Sequence, residues 1–215
     1  VTALEWHAAG TRLYETGIDR GVLYPSYNSG VVWNGLISVN EEVAGGDVES
    51  YYFDGVKYRD TVLSEDFKAT IEAFSAPAEF SVCEGKRSLT PGLSVVHQNR
   101  PAFNLSYRTL IGNEVDGTDH GYLLHLVYNA KVSPQSRNNT TIGETIEPGV
   151  SQWSIVAAPP HAQISGVTYR PSPHLILDSR LIEESKLALI EALLYGTSED
   201  DPLFPPQNLV YTLLA

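Results

Sequence analysis

Residues 103–130 read FNLSYRTLIGNEVDGTDHGYLLHLVYNA. Apolar and polar residues alternate on both sides of an Asp-Gly pair, which is the period of a pleated strand. In the first limb Phe103, Leu105, Tyr107, Thr109 and Ile111 share one face. In the second limb Tyr122, Leu124, Leu126 and Tyr128 do the same. The link 112–120 carries Asp116-Gly117 and is short enough to close an antiparallel hairpin. The chain is therefore expected to be mainly β.

Other segments carry strand and turn signals of their own. Residues 48–63 (VESYYFDGVKYRDTVL) set Asp54-Gly55 between two aromatic-rich limbs, the pattern of a two-residue type I′ hairpin. Tyr51, Tyr52, Phe53 and Tyr58 coat both faces of that ribbon, which is expected to pack on something else. In 67–74, Phe67, Ala69, Ile71 and Ala73 alternate with Lys68, Thr70 and Glu72, so this too reads as a strand. Further strands are expected at 22–24, stopped by Pro25, and at 31–39, 150–157 and 173–178. Asn28-Ser29-Gly30 is turn chemistry, and 131–149 reads as a long polar loop. The spacing predicts one helix over 183–195, with Leu187, Ile190 and Leu194 as its stripe and Gly196 as its stop. With 215 residues and 42% hydrophobic content, a single domain over 1–196 is expected, its N-terminal arm covering about 1–14. Segment 197–215 is Pro-rich and acidic, then apolar, and reads as an arm docked on its own domain or on a neighbour.

Chemistry is hard to find. The glycines of 15–36 (ETGIDRGVLYPSYNSGVVWNGL) are flanked by strand and turn and fit neither a Walker loop nor a dinucleotide fingerprint. No G-x-S-x-G and no H-E-x-x-H occurs, so neither a catalytic residue nor a metal site or cofactor is expected. His120 and His125, five apart, fall on opposite faces of a strand. The acidic hairpin 113–121 lacks EF-hand spacing and reads as a turn, with cation binding as the alternative. Cys83 is the sole cysteine, read as a small strand residue, and no disulfide can form within the chain. A net charge of −12 with no basic stripe argues against gripping a nucleic-acid backbone. No apolar run is long enough for a membrane span, and no signal peptide is visible. Synthesis in a cytoplasm, without secretion, is the expectation.

Seven strings then carry a resemblance: ETGIDRGVLY (15–24), VVWNGL (31–36), YYFDGVKY (51–58), ATIEAFSAPAEF (69–80), residues 103–130, HLILDSR (174–180) and ALLYGT (192–197). In this order and spacing they resemble the major tail proteins, or tail tube proteins, of long-tailed, non-contractile bacteriophages of actinobacteria. Ala76 departs from the aromatic that relatives carry before the proline. The resemblance implies a tail-tube β-sandwich with one flanking helix, lending strands to a continuous β-barrel around a lumen. It implies stacked hexameric rings that conduct double-stranded DNA without binding it specifically. The implied partners are the chain itself and the tail terminator, tape-measure and distal tail proteins. The implied location is the virion tail, and no catalysis is implied. On this basis contacts between subunits or rings are expected at Asp19, Arg20, Tyr51, Tyr52, Phe53, Asp54, Gly55, Tyr58, Leu203, Phe204 and Tyr211. Glu72 is the candidate acidic residue facing the lumen. The alternative is a β-sandwich binding module for carbohydrate or another ligand, with Trp33, Trp153 and the tyrosines as stacking platforms.

Overall fold

The computed structural model describes residues 6–62, 65–134, 141, 149–160 and 171–215. Along these the chain forms β1 (Tyr14–Ser26), β2 (Ser29–Val32), β3 (Leu36–Gly45), β4 (Val48–Phe53), β5 (Val56–Val62) and β6 (Glu65–Ala73). A single helical turn, α1 (Phe80–Cys83), precedes β7 (Arg87–Thr90), β8 (Leu93–Val95), β9 (Phe103–Asn113) and β10 (Gly117–Val132). Then come β11 (Ser151–Ala157), β12 (His174–Asp178), α2 (Glu184–Tyr195) and α3 (Gln207–Leu214).

One antiparallel sheet runs β2-β1-β9-β10-β11-β6-β3, with β12 also paired to β10. β10 makes this possible because it serves two layers. Its middle pairs with β12 through Leu123 to Val127, and its end pairs with β11 through Ala130 to Val132. Between those stretches the register shifts at Asn129, which takes φ 49° and donates its backbone N–H to Asn104 Oδ1 at 2.9 Å. A bulge of this kind bends a strand and moves later side chains to the other face. Leu124, Leu126 and Tyr128 accordingly face the helices, whereas Val127, Ala130 and Val132 face β6 and β11. The sheet folds over itself there into a sandwich-like body, with no closed barrel among the described residues.

Two cores result, one on each side of β9. The inner one gathers Leu23, Trp33, Ile71, Phe80, Phe103, Leu105, Tyr107 and Ile155. The outer one gathers Tyr24, Leu124, Leu126, Tyr128, Leu177, Leu187, Ile190, Leu194 and Phe204. Residues 103–108 are therefore all buried, including the polar Asn104, Ser106 and Arg108. The alternating pattern had implied cover on one face only. Each large side chain here adds roughly 1.5–3 kcal/mol of burial free energy.

Most expected strands are present, with three changes. β1 runs through Pro25 because the ladder to β9 has already ended at Tyr24↔Asn104, so the missing N–H breaks nothing. The expected strand 31–39 is split by a turn where Trp33 Nε1 donates to the Ser75 carbonyl at 2.8 Å. Gly35 is required in that turn, since a Cβ would lie 2.6 Å from the same carbonyl oxygen. Cys83 ends α1 instead of lying in a strand; burial makes it a core residue and pushes its thiol up to about 11. Of the expected loop 131–149, residues 131 and 132 end β10, and 135–140 and 142–148 lie outside the described residues. Of the N-terminal segment, 1–5 also lie outside them. The α2 helix matches expectation, and its last turn is held by Tyr24, whose hydroxyl donates to the Leu194 carbonyl at 2.7 Å.

Candidate assembly surfaces and a buried histidine cluster

The β4–β5 hairpin forms as its sequence demands. Asp54 and Gly55 take φ 51° and 77°, both positive, as a type I′ turn requires. Neither face of the ribbon is covered. Tyr52, Phe53, Val56 and Tyr58 are 62%, 64%, 69% and 73% exposed, and Tyr51 and Arg59 are exposed as well. Phe53 and Tyr58 pack only edge to face on each other, at 5.0 Å and 90°. Lys57–Asp60 at 2.8 Å and Ser50–Asp60 at 2.6 Å tie the polar positions together. Apolar side chains displayed on both sides of the ribbon make it a candidate interaction surface. A second exposed ribbon, β7–β8, turns at Pro91-Gly92 and displays Leu89 and Leu93. Sequence reading missed it, although Pro-Gly was a usable turn signal.

The other expected contacts are placed differently. Asp19 does not pair with Arg20. It receives two hydrogen bonds from Arg108 across the β1–β9 ladder, at 2.8 and 2.7 Å. Arg108 also stands 3.7 Å from Glu191 and stacks over Tyr122, so the ion pair locks helix α2 to the sheet inside one subunit. Arg20 lies at the β1 bulge with φ 47°, its guanidinium over the Tyr195 ring. Phe204 is fully buried against Tyr24, Tyr27 and Tyr128, and so is a core residue, not a surface contact. Leu203 and Tyr211 are partly buried. Segment 197–215 is thus seated on its own domain. Leu203 N–H donates to the Leu193 carbonyl and Phe204 N–H to the Tyr27 carbonyl, both at 2.7 Å. Its end forms α3, a second flanking helix the sequence reading did not include.

Glu72 lies on the outer face of β6, where it accepts hydrogen bonds from Ser38 and Gln152. That face continues across β3, β6 and β11 through Asn40, Glu42, Lys68, Thr70 and Ser154, with Lys131 beyond. In the 113–121 hairpin Asn113 Oδ1 accepts from the Val115 and Asp116 backbone N–H groups. The Asp116 carboxylate is engaged by His120 and then Asn113, which hold it below the usual carboxylate range. The stacking platforms imagined for a carbohydrate module fare unevenly. Trp33 is buried on Phe80, and Trp153 packs edge-on against both rings and donates its indole N–H to Glu84.

One cluster was invisible in the sequence. His125 on β10, His174 on β12 and Glu41 on β3 meet inside the sandwich near its open edge. His125 is 4% exposed, and its ring lies flat on Tyr107, with centroids 4.6 Å apart and planes at 5°. His125 Nδ1 is 3.1 Å from His174 Nε2, and His125 Nε2 is 3.0 Å from Thr109 Oγ1. Thr109 in turn donates to Glu15 at 2.5 Å. Glu41 lies 3.8 Å from each imidazole and accepts from the Tyr107 hydroxyl at 3.1 Å. Burial pushes both histidines down to about 4, aided at His125 by its histidine neighbour, so both rings are neutral at pH 7.

No family model matches the chain, and no curated protein matches it. Among solved structures, the chain is similar to the anti-feeding prophage cap, a tube-terminating cap solved by cryo-electron microscopy. The likeness covers 83% of this chain and 97% of that one, at a TM-score of 0.41 and 9% identity. At that distance it says nothing of this chain's role.

Proposed function

We propose that this protein is a structural component of a bacteriophage tail, and more finely the tail tube subunit of a long-tailed, non-contractile phage of actinobacteria. The observation that carries the reading is the β4–β5 hairpin, a stable turn holding an aromatic ribbon with no cover on either face. Such a ribbon is marginal by itself and suits insertion between neighbouring subunits. The ordered strings quoted above support the same reading.

In the proposed assembly six copies form a ring, and rings stack into a tube located in the virion tail after synthesis in the host cytoplasm. The tail terminator, tape-measure and distal tail proteins are its proposed partners. The outer face of β3, β6 and β11 is the candidate lumen wall, contributing to a barrel that closes only through neighbours. Its charged groups are Glu42, Asp66 and Glu72 against Lys68 and Lys131, a mixed wall with acid in slight excess. Duplex DNA carries one phosphate per about 1.7 Å, so a basic wall would hold it at many points. A mildly acidic wall repels it over a Debye length of about 8–10 Å and lets it pass. This role needs no catalytic residue, cofactor or membrane.

Negative-stain microscopy of the purified chain at rising concentration tests the proposal. Rings or tubes are expected. A stable monomer whose melting temperature shifts with added sugar would favour the ligand-binding alternative, which the exposed tyrosines of the hairpin keep open. A ring whose inner wall is net basic would remove the electrostatic part.

A further inference from the structure

Hydrogen-bond logic assigns the protons in the histidine cluster. The Thr109 hydroxyl proton is committed to Glu15, so Thr109 Oγ1 accepts from His125 Nε2–H. His125 Nδ1 is then a lone pair, and it accepts from His174 Nε2–H at 3.1 Å. The consequence falls on His174 Nδ1. It too is a lone pair, and it lies 3.8 Å from the Glu41 carboxylate. Acceptor atoms of His125, His174 and Glu41 thus lie near one another, with both histidines largely buried and the carboxylate half exposed. His125 Nδ1 and Glu41 Oε1 stand at the same 3.8 Å. Three strands thus bring electron-rich donor atoms together at one place.

We propose that Glu41, His125 and His174 form a binding site for a divalent transition-metal ion of the zinc class. One donor atom from each residue lies within 4.8 Å of the others. The His125 Nδ1–His174 Nε2 and His125 Nδ1–Glu41 Oε1 distances, 3.1 and 3.8 Å, bracket the donor separation of about 3.4 Å expected around a tetrahedral ion with bonds near 2.1 Å. Two imidazoles and one carboxylate, with a fourth position left to water, suit zinc or cobalt better than calcium or magnesium.

The metal takes the place of the proton shared by the two rings. That proton moves from His174 Nε2 to Nδ1, so no proton leaves the site. His174 Nδ1–H then lies 3.8 Å from Glu41 Oε2, beyond hydrogen-bond distance, where the carboxylate favours a proton over a second lone pair. The outer contacts already present are those a metal site needs. Thr109 orients His125, Tyr107 orients Glu41, and Phe67 packs on His174 at 4.8 Å. Glu41 is half open to solvent and gives the ion its way in. It is also an inward-pointing charge on the edge strand β3, so the ion would clip that edge to β10 and β12. The proposal is independent of the tail reading.

The test uses the full chain, stripped with a chelator and titrated with zinc alone by calorimetry, and with cobalt alone by visible absorption. One equivalent should bind saturably at micromolar concentration, with the visible bands of tetrahedral cobalt and a raised melting temperature. Glu41→Gln is partly exposed and should fold; it should weaken zinc at least tenfold, as should His174→Gln. Absence of saturable binding below about 100 μM overturns the proposal, as does a loss under tenfold in Glu41→Gln.

Discussion

Two hairpins of this molecule share a turn sequence and little else. Asp54-Gly55 joins β4 to β5, and Asp116-Gly117 lies at the link between β9 and β10. Both pairs of limbs alternate and both are rich in aromatic residues. Yet β9 is buried on both faces through residues 103–108, whereas every residue of β4 is exposed. Local pattern decides that a ribbon forms, and it does not decide what covers it. A ribbon covered from both sides is a fold determinant. A ribbon equally apolar but bare leaves that burial free energy unrealised in the single chain.

The largest effect should come from breaking the covered ribbon. Leu126→Ala removes a fully buried side chain facing the helices and should cost about 2–5 kcal/mol in urea unfolding. Next, Asp19→Ala should cost about 1–3 kcal/mol, because it strips the two hydrogen bonds from the largely buried Arg108 guanidinium. An unchanged unfolding midpoint there would show that the pair adds nothing to the stability of the single chain.

A matched pair of substitutions sharpens the contrast. Gly117 and Gly55 sit at φ 63° and 77°, and a Cβ at either would meet no atom within 4 Å. Valine at either position therefore imposes the same left-handed strain, about 1 kcal/mol or more. Gly117→Val should lower global stability by that amount. Gly55→Val should leave it within about 0.5 kcal/mol, since the bare ribbon opens locally, and hydrogen exchange at β4 and β5 should quicken instead. The smallest effect on the monomer belongs to Tyr52→Ser with Phe53→Ser, within about 0.5 kcal/mol by thermal melting. If the proposed function is right, that double variant should form no rings or tubes under conditions where the parent does. Normal assembly would remove the hairpin from the joint.

The elements were legible because they rest on neighbours in sequence. Period-2 alternation marked β6, β9 and β10, and Gly196 marked the end of α2. The site was much less so. The exposed aromatic hairpin could be read from residues 48–63. Asp19 was visible, but its partner Arg108 stands 89 residues away. Phe204 looked like part of a loose arm and proved to be core, because only the fold shows the space between Tyr24 and Tyr128 that it fills.

By itself, then, the sequence determined the mainly-β class, the type I′ turn at Asp54-Gly55, the helix that caps the sheet and the acidic net charge. These follow from side-chain period, turn chemistry and charge, which act over a few residues. The tertiary structure decided what was covered and what met. The bulge at Asn129 sends the end of β10 to a second layer, and no local signal specifies it. The same register sets His125 opposite Ile176 and lets His174 reach its ring from 49 residues on, with Glu41 arriving from the edge of a third strand. Contacts of that kind depend on how strands pair, and pairing is a property of the whole chain.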